Sequence, residues 1–305
     1  MLAGAGKGEH RGAPGASHHD RMSVPILLSR QNPDGGWPYV RGASWTEPTV
    51  YAILALLSAG ENAPARRGLD WLRARQLSDG GWPPQTGFDE SNWVTALVAL
   101  LPPGQLGARV HARAIHWLLG VTGEESSTVF RLRRWLLGES PRQIEPAGWP
   151  WVEGTAAWVV PTSLAILALE KENMRRPTPF IRARIADGHR FLLERMCVNG
   201  GWNHGSVRVY GVEGAPYPET TGIALAAIRG VNSPATAKSV AVARRFLNDC
   251  RSADAFNWLR LGLLAHGQLP AGSDPPAQIS YRTLTETSLD MLVVESQKGR
   301  DFLWS

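Results

Sequence analysis

The chain has 305 residues, of which 43% are hydrophobic and 19% are charged, and its formal net charge is +5. This composition is ordinary for a folded globular protein and excludes a low-complexity or collagen-like chain. The basic residues are spread along the chain, so we expect no nucleic-acid groove. The one short basic cluster, Arg131, Arg133 and Arg134, adjoins Trp135 and is typical of the solvated face of an amphipathic helix.

Residues 1–21 are rich in Gly, Ala and His and lack the apolar centre of a signal peptide. We predict that they form a disordered tail, with Met22 as an alternative start, and that residues 22–305 form one domain. No apolar run is long enough for a transmembrane helix, so any membrane contact would be peripheral. Cys197 and Cys250 are too few for a disulfide framework, which favours a cytoplasmic location.

A turn motif repeats along the chain. The segment from Gln31 to Trp37 (QNPDGGW) recurs from Gln76 to Trp82, weakens from Gln143 to Trp149, and returns from Met196 to Trp202. The four tryptophans are 45, 67 and 53 residues apart, which is a variable spacing typical of helical hairpins.

Each turn lies between two segments of different character. The segment before it is amphipathic, as in 66–75, where charged and apolar residues separate at helical spacing. The segments after the turns are apolar on nearly every side, which indicates buried helices; segments of this kind are 48–56, 92–100, 161–169, 219–227 and 286–294. Alternating buried and half-exposed helices predict an all-α toroid of about six helical hairpins, with apolar helices inside and amphipathic helices outside.

The best copy of the turn carries a family signature. Arg67-Gly68, Trp71-Leu72, Gln76, Gly80 and Trp82 match the QW motif of squalene cyclases in full. The chain therefore resembles the repeat superfamily of squalene cyclases and protein prenyltransferase β-subunits. The resemblance implies a central cavity for an isoprenoid or lipid chain, with cyclase-type or transferase-type activity. It also implies a structural role for the residues of the turns: Gln31, Trp37, Gln76, Trp82, Trp149 and Trp202.

The resemblance further implies that the cavity opens where the inner helices start. The residues expected to line it are Trp45, Glu47, Asp89, Glu90, Trp93, Trp151, Glu153, His204, Tyr210, Tyr217, Trp258 and Glu286. The loop 203–217 is long for a hairpin connection and is expected to border the cavity.

Glu219 is the one candidate for a catalytic acid. It lies where cyclases carry their proton-donating aspartate, and Glu47 and Glu286 occupy the same position in other repeats. Two interpretations stay open. Each carboxylate caps its own helix, or the three converge on one mouth, where mutual repulsion would raise the pKa of at least one.

The catalytic signatures of the resembled family are missing. DxDD and DDxxD sequences are absent, and no Asp-x-Cys pair exists at Cys197 or Cys250. A displaced set of Asp249, Cys250 and His266 has poor geometry for a tetrahedral zinc site, so we expect neither a metal nor a cofactor.

Three functions therefore stay open: a terpenoid cyclase or prenyltransferase, a non-catalytic module that binds a lipid or a protein, and a carbohydrate-acting toroid. Tryptophan walls and paired acids at a suitable separation would mark the last. The sequence leaves the oligomeric state undetermined.

Overall fold

The computed structural model describes residues 18–126, 136, 147–205, 208–209 and 212–304, in which twelve α-helices form two layers. The inner helices are α2 (Thr46–Ser58), α4 (Val94–Ala99), α7 (Val159–Arg175), α9 (Pro218–Ala227), α11 (Ala253–Ala265) and α12 (Leu284–Gln297). The outer helices are α1 (His18–Arg30), α3 (Asn62–Arg73), the short α5 (Pro103–Leu106), α6 (Ala108–Gly120), α8 (Pro179–Glu194) and α10 (Pro234–Asp249).

The six inner helices form a closed ring. Each packs against the next in chain order, and α12 packs back against α2. Their apolar composition explains this arrangement, because a helix with no polar face must be covered on all sides: eleven residues of α2 and eight of α9 are buried. The predicted all-α toroid is confirmed. The short pieces outside this scheme are a 3₁₀ turn at Glu124–Ser126 and a hairpin of β1 (Arg208–Val209) and β2 (Val212–Glu213).

Among the described residues, the tryptophans of the four turns are the largest side chains that are fully buried. Each indole N–H donates to a carbonyl near the end of the preceding outer helix, as Trp82 Nε1 does to Leu72 O at 2.8 Å. Each backbone N–H donates to a threonine hydroxyl of the following inner helix, as Trp82 N does to Thr95 Oγ1 at 2.9 Å. Trp37, Trp149 and Trp202 repeat both contacts. One residue thus joins an outer helix to an inner helix.

The turn glutamines connect neighbouring hairpins. Gln31 Nε2 donates to Gly35 O in its own turn and to Pro64 O in α3, at 2.8 and 2.9 Å. Gln76 Nε2 repeats this pattern with Gly80 O and with Val110 O in α6, both at 2.9 Å. These bonds hold adjacent outer helices together. The third glutamine of the sequence motif, Gln143, lies outside the described residues.

The hairpins are unequal on one side of the ring. Residues 266–283 connect α11 to α12 with no helix, so the sixth hairpin lacks an outer helix. Only residues 250–252 connect α10 to α11, without a turn of the Gly-Gly-Trp kind. On this side α9 and α11 meet backbone to backbone, because a Cβ atom on Gly222 would lie 2.4 Å from the carbonyl carbon of Trp258.

The carboxyl ends of the inner helices are covered by residues 298–304. The Lys171 ammonium donates to Leu100 O and to Phe302 O at 2.9 and 2.7 Å, and Trp304 Nε1 donates to Ala226 O at 3.1 Å. Leu303 and Trp304 are buried. The opposite end, where the inner helices begin, therefore forms the mouth of the ring.

No helix in the described part of the chain combines the length and apolar character needed to cross a lipid bilayer. The predicted tail 1–21 lies mostly outside the described residues, and α1 begins at His18, before the predicted boundary.

Candidate active site

The mouth of the ring carries aromatic residues at the starts of four inner helices. Trp45, Trp93, Trp158 and Tyr217 are the N-cap residues of α2, α4, α7 and α9, and none of them makes a side-chain capping hydrogen bond. Helices favour Ser, Thr, Asp or Asn at this position, because those side chains pair with free backbone N–H groups. Aromatic side chains at four such positions do not serve helix capping, and we call these four residues the aromatic crown.

Neighbouring aromatic rings extend the crown along the mouth. Tyr39 packs against Trp45 with ring centroids 5.5 Å apart, and Trp151 packs edge-on against Trp93 at 5.0 Å. The ring of His204 lies 5.1 Å from Tyr217 and 6.2 Å from Trp158. His204, Tyr217 and Trp158 are exposed, so these rings are available to a ligand.

The mouth also carries four half-buried carboxyl groups at the starts of α2, α9, α11 and α12, namely Glu47, Glu219, Asp254 and Glu286. We call them the acid cluster. The carboxyl group of Asp254 interacts electrostatically with the other three carboxyl groups. Burial, followed by the negative charges of Glu47, Glu286 and Glu219, raises the pKa of Asp254 to about 7. Asp254 therefore holds a proton under mildly acidic conditions in which an ordinary aspartate has lost it.

Glu47 has a different environment. Burial raises its pKa, and a hydrogen bond donated by the Tyr39 hydroxyl opposes this rise by stabilising the carboxylate. The phenol of Tyr51 lies beneath, in electrostatic contact with Glu47 and Asp254, and packs edge-on against Trp258 at 6.4 Å. The mouth therefore contains two carboxyl groups whose pKa values are both raised by burial, and Glu47 in addition accepts a hydrogen bond from a phenol.

The two other acids have separate surroundings. Glu286 accepts hydrogen bonds from the backbone N–H groups of Arg282 and Thr283 at 2.5 and 2.8 Å, and it completes a capping box with Thr283. Glu286 therefore caps its helix, as one of the two interpretations of the sequence proposed. Glu219 contributes charge to Asp254, and its catalytic role stays a prediction.

The remaining residues expected to line the cavity lie in several places. Trp45, Trp93 and Trp151 are half-buried at the mouth, whereas Asp89, Glu90 and Glu153 are exposed on its outer loops. Trp258 is only 5% exposed and belongs to the core below the acid cluster. Tyr210 lies outside the described residues.

Four residues of the site were absent from the sequence-based list, namely Asp254, Trp158, Tyr39 and Tyr51. Asp254 was missed because no Gly-Gly-Trp turn precedes α11. The sequence did contain one signal for the start of this helix, Ser252, which is the N-cap residue and accepts a hydrogen bond from Ala255 N. Trp158 was missed although it precedes an apolar helix as Trp45 does. Among the described residues, no group of three or more His, Cys, Asp or Glu side chains could hold a metal ion.

No family model matches the sequence, and no curated protein matches it. Solved structures do match its fold. Endo-β-1,4-glucanase CMCax from Acetobacter xylinum is 14% identical, with a TM-score of 0.62 over 93% of this chain and 99% of that chain. An α-amylase from Clostridium perfringens is 11% identical, with a TM-score of 0.61 and the same coverage. Endoglucanase Cel10 from Klebsiella pneumoniae, a family 8 glycosyl hydrolase, is 15% identical, with a TM-score of 0.57 over 90% and 99% of the two chains.

These similarities correct the family prediction. The resemblance to squalene cyclases and protein prenyltransferases is wrong, because the similar structures are α/α toroid glycosidases. The Gly-Gly-Trp turn misled the prediction because its hydrogen bonds connect an outer helix to an inner helix. This role is structural and does not depend on the chemistry at the mouth. The expected isoprenoid or lipid ligand is wrong as well. A mouth with four carboxyl groups suits such a chain poorly, since burying these groups against hydrocarbon costs free energy.

Proposed function

We propose that this protein is a carbohydrate-acting enzyme that hydrolyses glycosidic bonds at the mouth of the ring. The observation that carries the proposal is the pair of Asp254 and Glu47, two neighbouring carboxyl groups of which one holds a proton near neutral pH. Glycoside hydrolysis needs one carboxyl group that gives a proton to the departing oxygen and a second that acts as a base or a nucleophile. The similar folds, which belong to a glucanase, an amylase and an endoglucanase, support the same class of substrate.

The aromatic crown supports a sugar substrate. Aromatic rings give a glycan broad apolar contact, and nearby polar groups fix its orientation, as in most ligand sites. A glycan lying on Trp93, Trp151 and Trp158 would reach the acid cluster at Trp45 and Tyr217, because both neighbour it in the ring. The crown would bind the chain, and the cluster would act on one of its linkages.

In this scheme the neighbouring residues influence the protonation states of Asp254 and Glu47. Burial, followed by the negative charges of Glu47, Glu286 and Glu219, favours the protonated form of Asp254, while the Tyr39 hydroxyl opposes the rise that burial causes in the pKa of Glu47. Because the raised pKa of Asp254 favours its protonated form, Asp254 is the candidate proton donor and Glu47 the candidate base or nucleophile. We therefore propose the pair as the acid–base apparatus.

The test is the release of reducing ends from a panel of α- and β-linked polysaccharides, both neutral and containing uronic-acid units. The wild-type protein should cleave at least one of them, and Glu47→Gln and Asp254→Asn should each lower the rate by at least a hundredfold, in line with the usual contribution of acid–base catalysis. Glu153→Gln, an exposed acid on an outer loop, is the matched control and should retain activity. Absence of cleavage across the panel, or full activity in both variants, would contradict the proposal.

Two predictions from the sequence accompany this proposal. We propose that residues 22–305 act as one domain, since the inner ring closes between its first and last helices. A cytoplasmic location stays a prediction, and the free, buried thiols of Cys197 and Cys250 are compatible with it.

A further inference from the structure

A pocket adjoins the acid cluster on the side where the hairpins are incomplete. It has a volume of about 310 Å³ and lies between the loops that lead into α11 and α12. Its polar lining consists of Arg251, Ser252, Gln278, Ser280, Arg282 and Glu286. This size is at the lower end of the range for ligand pockets, and suits one sugar unit better than a large cofactor.

The two arginines give the pocket its character. Neither the Arg251 nor the Arg282 guanidinium has a hydrogen-bond or ion-pair partner in the part of the chain that the structure describes. Both residues are exposed, whereas some arginines elsewhere are paired, as Arg73 is with Asp70, Arg175 with Glu172 and Arg260 with Asp290. Two unpaired guanidinium groups on one pocket provide forked donors that fit a carboxylate.

One carboxylate, that of Glu286, lies in the same pocket and offsets only part of the positive charge of the two arginines. Glu286 accepts from the backbone N–H groups of Arg282 and Thr283, so it is committed to the start of α12. The first residue of α11, Ala253, also lines the pocket, and the amino end of a helix adds partial positive charge. The pocket therefore has a net positive character beside a cluster of acids.

The pocket and the acid cluster are contiguous. Glu286 belongs to both, and Asp254 follows the pocket residue Ala253 directly in the chain. A glycan bound across the mouth would place one unit over Asp254 and Glu47 and the next unit in the pocket. The unit over the acid cluster must be uncharged, because the cluster repels anions, whereas its neighbour meets two arginines.

We propose that this pocket binds the carboxylate of a uronic-acid unit, so that the substrate is a glycan with an acidic sugar next to the linkage at the acid cluster. This assignment rests on the proposed function for the identity of the neighbouring site. Arg251 and Arg282 determine specificity for the charged unit, and the acid pair acts on the neutral one.

The test measures binding, so that it is independent of turnover. The probes are a cello-oligosaccharide with one glucuronic acid unit and the unmodified oligosaccharide of the same length, titrated calorimetrically into the Asp254→Asn variant to prevent hydrolysis. The acidic probe should bind about tenfold more tightly, and the preference should shrink at high salt because it is electrostatic. Arg251→Gln with Arg282→Gln should abolish the preference and leave the affinity for the neutral probe unchanged. Arg41→Gln, an exposed arginine on another rim loop, is the matched control and should keep it.

Equal affinity for both probes, or a preference that survives the double Arg→Gln change, would overturn the assignment. Sodium glucuronate should displace the acidic probe more effectively than sodium sulfate at equal ionic strength, and the reverse order would overturn the choice of a carboxylate. A charge preference that depends on the two arginines, in a protein without glycosidase activity, would support the pocket while refuting the proposed function. Hydrolysis without a charge preference would support the proposed function and refute the assignment of the pocket.

Discussion

The backbone N–H of Leu284, the first residue of α12, donates to the carbonyl of Tyr39 at 2.7 Å. The same bond joins successive hairpins elsewhere, from Thr46 to Pro84, from Trp93 to Trp151 and from Val159 to His204. In all four cases the acceptor lies two residues after a turn tryptophan. The first and last hairpins are therefore joined by the contact that joins their neighbours. Because the Tyr39 hydroxyl also donates to Glu47, closure of the ring and placement of an acid depend on one residue.

Tyr39→Phe should raise the pKa of Glu47, because it removes the hydrogen bond that stabilises the carboxylate while leaving the ring in place. In a protein that cleaves glycans, the acid limb of the pH–rate profile should move to higher pH. The measurement is this profile, with thermal stability as a control for folding. An unchanged acid limb would show that the hydroxyl does not tune Glu47.

Asp254→Asn should change how stability depends on pH. The pKa of Asp254 is raised in the folded protein, so its stabilising contribution is present at low pH and is lost as pH rises through about 7. The variant lacks this ionisation and should therefore gain stability relative to the wild type as pH rises from 5 to 8. Thermal melting at several pH values measures the difference. Parallel curves for the two proteins would mean that Asp254 ionises normally.

Trp82→Ala should lower the free energy of unfolding by about 3–5 kcal/mol, the usual cost of removing a large buried aromatic side chain. Trp82 is fully buried and joins α3 to α4 through its indole and backbone N–H groups. The matched control is Trp158→Ala at the mouth, where the side chain is 37% exposed. Chemical denaturation should show a large loss for Trp82 and a small one for Trp158. A similar small loss in both would refute the structural role of the turn.

Gly222→Ala should destabilise the protein, because the new methyl group would meet the backbone of α11 at Trp258. The two helices cannot separate freely in a closed ring, so the added methyl group overpacks the contact between them. The free energy of unfolding should fall by about 1–3 kcal/mol. Gly120→Ala, at the end of α6 with no neighbouring atom within 4 Å, is the control and should be tolerated. Wild-type stability for Gly222→Ala would show that α9 and α11 are not in close contact.

The sequence predicted the architecture well because the architecture depends on local patterns. Hydrophobic segments such as 48–56 and 161–169 have no polar face, and the turns ending at Trp37 and Trp82 separate them from amphipathic helices. Both signals come from residues close together in the chain. The missing outer helix between α11 and α12 was not predictable in this way, since a count of about six hairpins does not show which one is incomplete.

The site was harder to predict because it is assembled from distant residues. Glu47 and Glu286 were identified by their shared position before inner helices, yet Asp254 lies in a hairpin without the repeated turn. The raised pKa of Asp254 depends first on burial and then on three carboxylates contributed by three other helices, and ring closure brings these together. The family was also misassigned because the turn motif, on which the assignment depended, connects helices and has no role in the chemistry at the mouth.

The most direct measurement is the titration of the Asp254 carboxyl by ¹³C NMR in the wild-type protein and in Glu47→Gln, with assignment by comparison with Asp254→Asn. We expect a midpoint near 7 in the wild type, and a lower midpoint in Glu47→Gln because one of the neighbouring negative charges is gone. A wild-type midpoint near 4, unaffected by Glu47→Gln, would mean that the charge of Glu47 does not raise the pKa of Asp254. That result would contradict the proposed acid–base pair.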